Sequence, residues 1–333
     1  MTRRSRVLTV LLLAAALLSP AGAARAECEG HVSSLVESYK SLHDNASSKS
    51  KPGMSSAVYK TLNAAQHRAD YGQQSRALLI LDSIPLDKIS AAERSYVQSY
   101  YAFVYSNLNN FPRTIESYEA LVLNESAPQS MVVSAFYTLS QLYYLQRDYC
   151  EAIRLADYYL VMLKGSDEDG ISESVGKANS LIANAYMTLK DFKNSLSYAD
   201  EAYSMMREAG KAVPETLYVT RYLGRMKLGD MDQAIESLES MKAAYPDSDK
   251  LVYLAWAYNK AGRMEESKAT LADLVGRGII DKDKYVLTLA EYLQGNNQGP
   301  EACALLREKF GDEAGSMLDN DSSLYAECFL VGD

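Results

Sequence analysis

The stretch "LSQLYYLQRDYCEAIRLADYYL", residues 139–160, decides the fold. Two apolar runs flank the polar pair Arg147-Asp148. Leu139, Leu142 and Tyr143 recur at three- and four-residue steps, as do Ala152, Leu155, Ala156 and Tyr159. That is the period of an amphipathic helix, so the stretch reads as helix, two-residue turn, helix. One such hairpin cannot bury its apolar face alone, whereas stacked neighbours of the same kind can.

The neighbours are present. "YAFVYSNLNNFPRTIESYEALV" (101–122), "IANAYMTLKDFKNSLSYADEAY" (182–203) and "LAWAYNKAGRMEESKATLADLV" (254–275) align with the first stretch. Their turn pairs are Asn109-Asn110, Lys190-Asp191 and Gly262-Arg263, and Gly229-Asp230 adds another. Looser copies run over 64–84, turning near Gly72-Gln73, and over 289–309, turning near Asn297-Gln298. About seven helical hairpins are expected, in an all-α, right-handed superhelical solenoid. Each first helix carries a small residue (Ala102, Ser140, Ala183, Ala255, Ala290). The second helix answers with another (Thr114, Ala152, Ser195, Ala234, Ser267, Ala302), so the two can approach closely. Tyr105, Tyr143, Tyr186 and Tyr258 are expected to fill the space between neighbouring hairpins, with Tyr143 packing toward the next one.

This pattern resembles the tetratricopeptide repeat, a helix-turn-helix unit of about 34 residues. It is followed at 96–122, 134–160, 177–203 and 249–275, more loosely at 59–85, and departs at 215–246. There bulky Tyr222 and Arg225 stand where small and aromatic residues are usual. The order of segments goes further. "MSSAVYKTLNAAQ", "FYTLSQLYYLQRDYCEAI", "MREAGKAVPETLYVTRYLGRMKLGD" and "YPDSDKLVYLAWAYNKAGRMEESKATLADLVGRGIIDKDKYVLTLAEYL" follow one another. That order, over roughly 54–310, is similar to bacterial exported tetratricopeptide proteins associated with TonB-type energy-transduction systems. The resemblance implies a scaffold beside the motor that drives outer-membrane uptake. An adaptor for envelope assembly or cell-wall machinery is the alternative among binding proteins.

The ends set the compartment. Arg3, Arg4 and Arg6 precede an apolar run over 7–18, Pro20 breaks it, and Ala24-Arg25-Ala26 offers small residues for cleavage. Residues 1–26 read as a secretory signal peptide. The run is too short for a membrane span, and no later stretch approaches one. Removing 1–26 removes four arginines and no acid, taking the formal charge from -9 to -13. That argues against nucleic acid and against an anionic membrane surface. A periplasmic or otherwise exported protein follows, with residues 27–53 as an N-terminal helix and linker and 311–333 as a capping segment. Asn45, Asn124 and Asn320 each begin a glycosylation-type triplet, a motif common by chance.

Four cysteines in an exported chain permit disulfides, in three possible pairings. Cys303 with Cys328, close in sequence, is expected, and by elimination Cys28 with Cys150. Cys150 opens a helix, where a thiol can become reactive, so a cysteine-dependent enzyme is the alternative of another class. The three histidines, His31, His43 and His67, all lie far upstream of Cys150, which leaves a Cys-His pair without local support. No CxxC, HExxH, GxSxG or glycine-rich phosphate loop occurs, and Asp167-Glu168-Asp169 lacks the ordered ligand ladder of a calcium loop. No catalytic residue, metal or cofactor is therefore expected.

The aromatics point to binding. The chain has 25 Tyr against 6 Phe and 1 Trp, and most fit hairpin packing. By resemblance to tetratricopeptide arrays, Tyr96, Phe103, Tyr137, Tyr144 and Trp256 lie on the first-helix face that lines a concave groove. Gln141, Asn184 and Asn259 share it. Aromatic area with a few amides suits a peptide or protein partner, and a TonB-type motor component is the partner the resemblance implies.

Overall fold

The computed structural model describes residues 28, 30–44, 53–164, 170–295, 298–318, 323–325 and 328. Residues 1–26, expected to be a signal peptide, residues 45–52 of the expected linker, the acidic triplet 167–169, and Asn320 lie outside them. Among the described residues there are fifteen α-helices of nine residues or more, and no strand. An N-terminal helix, α1 (Ser34–Asp44), precedes seven hairpins. These are α2/α3 (Ser56–Asp70, Gln74–Asp82), α4/α5 (Ala91–Asn107, Phe111–Val122), α6/α7 (Gln129–Leu145, Tyr149–Leu163) and α8/α9 (Ile171–Thr188, Phe192–Glu208). The series continues with α10/α11 (Glu215–Lys227, Met231–Ala244), α12/α13 (Val252–Lys260, Met264–Gly276) and α14/α15 (Lys282–Gly295, Gly299–Phe310).

Contacts group into two compact units, one up to Ala212 and one from Val213. The boundary has a local cause. Gly210 turns left-handed at φ 64°, closing α9, and Pro214 caps the start of α10 across a stretch without regular structure.

The polar turn pairs have one job per residue. Their first members, Gly72, Asn109, Arg147, Lys190, Gly229 and Gly262, all adopt left-handed φ between 54° and 89°. This lets the next backbone N–H reach back to close the helix. Asn110 donates to the Tyr105 carbonyl at 2.9 Å, Asp191 to Tyr186 at 2.9 Å and Arg263 to Tyr258 at 2.8 Å. The second members then start the following helix. The side chains of Asn110, Asp148, Asp191 and Asp230 accept from the backbone N–H three residues on. Two residues thus stop one helix and begin another.

Within hairpins, the small pairs Ala102/Thr114, Ser140/Ala152, Ala183/Ser195, Ala255/Ser267 and Ala290/Ala302 are all buried. The Ser195 hydroxyl donates to the Ala183 carbonyl at 2.8 Å, so these helices touch backbone to side chain. Hairpin α10/α11 solves the problem differently. Tyr222 is 1 % exposed. Arg225 lies along α11, donating to the Gln233 carbonyl at 3.1 Å and the Ser237 hydroxyl at 2.8 Å.

Between hairpins, tyrosine hydroxyls donate to carboxylates of the preceding hairpin. Tyr101 donates to Asp82 (2.7 Å), Tyr143 to Glu119 (2.6 Å), Tyr198 to Asp157 (3.0 Å) and Tyr258 to Glu239 (2.7 Å). This explains tyrosine where phenylalanine would fill the same space. It also corrects the expectation that Tyr143 packs toward the following hairpin: its hydroxyl reaches back to α5. Burial and the partner carboxylate together push the Tyr258 hydroxyl up to about 12.

The first and last described segments both pack on the hairpins. Helix α1 passes over the first two hairpins in sequence and docks on the third. Leu35, Val36 and Tyr39 enter the core formed with Phe136, Leu139 and Leu155. The Tyr39 ring meets Phe136 edge-on at 5.3 Å. Burying such side chains contributes about 1.5–3 kcal/mol each. At the other end Leu324 and Cys328 pack on α14 and α15, and Arg307 donates to the Cys328 carbonyl at 3.0 Å.

Candidate functional site

The groove candidates of the first unit fall on three first helices. Tyr137, Gln141 and Tyr144 are spaced i, i+4, i+7 on α6 and share one face, as Tyr96 and Phe103 do on α4. Gln141 is exposed and the aromatic rings are half-buried. Each ring is partly committed to packing. Tyr96 and Phe103 lie against the core of α2, α3 and α4. Tyr137 tilts against Tyr159 of its own hairpin at 5.1 Å, and burial raises its hydroxyl pKa. Tyr144 meets Tyr149 edge-on at 5.3 Å and packs beside Ile153 and Ile182. Asn184, on α8, is half-buried.

Trp256 and Asn259 belong to the second unit, on α12. Lys260 places its Nζ 4.2 Å from the Trp256 ring centroid, a cation–π contact on a half-buried indole. Asn259 is only 9 % exposed, which leaves little of its amide for a partner.

Cys150 is bonded to Cys28, with Cα atoms 5.0 Å apart, and Cys303 to Cys328 at 5.2 Å. Neither sulfur of the first pair is a nucleophile in this state. Sequence reasoning missed what surrounds that bond. Glu151, nearly buried, accepts from the Ser33 hydroxyl at 2.5 Å and meets His31 Nε2 at 2.7 Å. Arg154 donates to the carbonyls of Cys28 (2.7 Å) and His31 (2.9 Å). These residues form a polar clasp that orients α1 on α7. They lie about 120 residues apart, and no local pattern marks them as partners. Among the described residues there is no group of three or more His, Cys, Asp or Glu that could hold a metal, and no helix long and apolar enough to cross a membrane.

Comparison with known proteins agrees with this geometry. A family model for the tetratricopeptide repeat matches residues 225–278, from the end of α10 through α13. The fold is similar to the crystal structure of the apo form of RapI, at TM-score 0.50 and 14 % identity, covering 78 % of this chain and 98 % of that one. A tetratricopeptide repeat protein from Parabacteroides merdae ATCC 43184 aligns at TM-score 0.49 and 11 % identity, covering 82 % of this chain and 98 % of that one. YrrB, described as a TPR protein with an unusual peptide-binding site, aligns at TM-score 0.46 and 17 % identity, covering 61 % and 92 %. Curated protein sequences return no match. The chain is an all-α array of tetratricopeptide-type hairpins.

Proposed function

We propose that this chain is an exported, non-catalytic scaffold that binds a peptide or protein partner along the first-helix face of α4, α6 and α8, in the service of TonB-type envelope transport. The observation that carries the reading is the array of tetratricopeptide-type hairpins, with Tyr96 and Phe103 on the first helix α4 and Tyr137, Gln141 and Tyr144 on the first helix α6. Half-buried rings held by packing lose little entropy on contact, and an exposed amide beside them supplies hydrogen bonds. Two disulfides support an oxidising compartment, as does the basic-then-apolar character of residues 1–26. The TonB association rests on the order of segments alone.

A photo-crosslinking residue at Gln141, with Lys193 as an exposed control on α9, tests the reading in cells. Capture of an inner-membrane motor component from Gln141 and not from Lys193 is the expected result. Capture from Lys193 alone refutes the proposed face. Capture from Gln141 of a protein unconnected with that motor refutes the TonB association and leaves the face standing.

A further inference from the structure

Helix α1 lies in a groove that the repeat produces more than once. It joins the core that α5, α6 and α7 share. Tyr39 meets the rings of Phe136 at 5.3 Å and Tyr158 at 5.9 Å, and Lys40 holds its Nζ 5.5 Å from the Tyr158 centroid. Glu151 and Arg154 hold the residues just before the helix, through His31, Ser33 and Cys28. Counted from the left-handed turn residues Asn109 and Arg147, the places of Phe136, Glu151, Arg154 and Tyr158 are held one hairpin earlier by Gln98, Arg113, Glu116 and Ala120. Those four line an open cavity of about 310 Å³ between α3, α4 and α5. The groove is therefore a product of the register, and α1 fills one copy of it.

One hairpin later the groove is open again, and it is larger and more apolar. Counted from Lys190, the places of Phe136 and Tyr158 go to the smaller Asn179 and Glu201. Both border a cavity of about 590 Å³ between α7, α8 and α9, whose walls include Leu160, Ile171, Val175 and Met205. This cavity is continuous with the seat of α1. A second opening of about 280 Å³, between α1 and α7, shares Asp157 and Val161 with it. Val32, just before α1, and Val161 are both exposed at that junction.

We infer that the α7/α8/α9 groove binds an amphipathic helix of a partner protein, laid beside α1 and carrying a basic residue against Glu201. A helix enters such a groove with apolar anchors on one face, as α1 does with Leu35, Val36 and Tyr39. Charge sets the basic residue. Glu201 stands in the place of Tyr158, over which Lys40 lies, and Asp157 and Glu201 outnumber Lys164 along the groove. The α1 helix of a second copy is not the occupant, because the Cys28–Cys150 bond holds each α1 in its own chain. The site uses other residues than the α4/α6/α8 face of the proposed function and does not depend on that reading.

The test uses the full oxidised chain with ¹³C-methyl-labelled methionine, following the Met205 methyl, assigned with M205L. The probe is the α1 peptide Ser34–Asp44, stapled as a helix through positions 34 and 38, whose side chains are exposed in the chain. It is expected to bind saturably, shifting Met205 and leaving Met131, which packs on the α1 core, unchanged. V161D, at an exposed position, is expected to abolish binding without lowering the melting temperature. A K40E peptide is expected to bind about threefold more weakly, and E201K in the chain to reverse the order of the two peptides. In cells, a photo-crosslinking residue at Met205 is expected to capture a segment of another protein with a helical apolar face and an adjoining Lys or Arg. No saturable binding, a shift at Met131 alone, undiminished binding to V161D, an unchanged peptide order in E201K, or capture of a second copy of this chain would each overturn the assignment.

Discussion

Glu93 joins two helix starts, and replacing it with glutamine tests how the first hairpins are held together. Its Oε1 accepts from the Ser55 backbone N–H at 2.8 Å, at the start of α2. Its Oε2 accepts from the backbone N–H and the hydroxyl of Ser90, both at 2.8 Å, at the start of α4. The carboxylate is 6 % exposed and sits at the positive ends of two helix dipoles. Hydrogen bonds from Ser55, then from Ser90, hold it down from the ordinary 4.5 to about 2. That drop corresponds to a ceiling of about 3 kcal/mol, and water at these helix ends reduces the expected value to about 2 kcal/mol. In E93Q one oxygen still accepts, but the amide NH₂ faces a donor, so the loss is expected to be close to the full amount.

The pH dependence has a definite sign. A carboxyl lowered on folding stabilises the protein fully above its unfolded value near 4.5, and this is lost as pH falls toward about 2. The stability gap between the parent chain and E93Q should therefore be about 2 kcal/mol near pH 7 and shrink steadily below about pH 4.5. The assay is hydrogen exchange across α2 to α4 during urea titration, because the single tryptophan, Trp256, lies in the other unit. Equal stability near pH 7, or a gap unchanged near pH 3, would refute the argument.

Three further outcomes follow from the same contacts. Lys190 holds φ 60° with an exposed side chain, so K190G should stabilise α8/α9 by about 0.5–1 kcal/mol in urea melts; a loss would show that its side chain matters more than its backbone. Y143F should cost about 1 kcal/mol, and a double-mutant cycle with E119Q should return a coupling of similar size, since the bond runs to a half-buried carboxylate. C28S combined with C150S opens a closed loop with a sequence separation of 122, which the chain-entropy account values at about 5 kcal/mol. Exchange protection in α1 should collapse while α8 and α9 keep theirs, and unchanged protection of α1 would mean that the polar clasp and the apolar contacts suffice.

Most of the architecture was legible in the sequence because its signals are short-range. The polar pair Lys190-Asp191 encodes a left-handed stop and a side-chain cap within two residues. Ala183 and Ser195 lie twelve residues apart and meet because the turn between them allows only one return path. Even the departure at Tyr222 and Arg225 was visible, though its resolution, a guanidinium laid along α11, was not. The candidate face was legible only in part. Tyr137 and Tyr144 do share a face of α6, but how far their neighbours Tyr159 and Tyr149 engage the rings depends on packing.

The sequence by itself determined the hairpins, their turns and their small-residue contacts, since each depends on residues within about one repeat. Only the tertiary structure decided that α1 docks on the third hairpin and that Tyr143 reaches backward. Those outcomes depend on which side chains meet across helices, and the periodicity of one helix carries no record of its neighbour's surface.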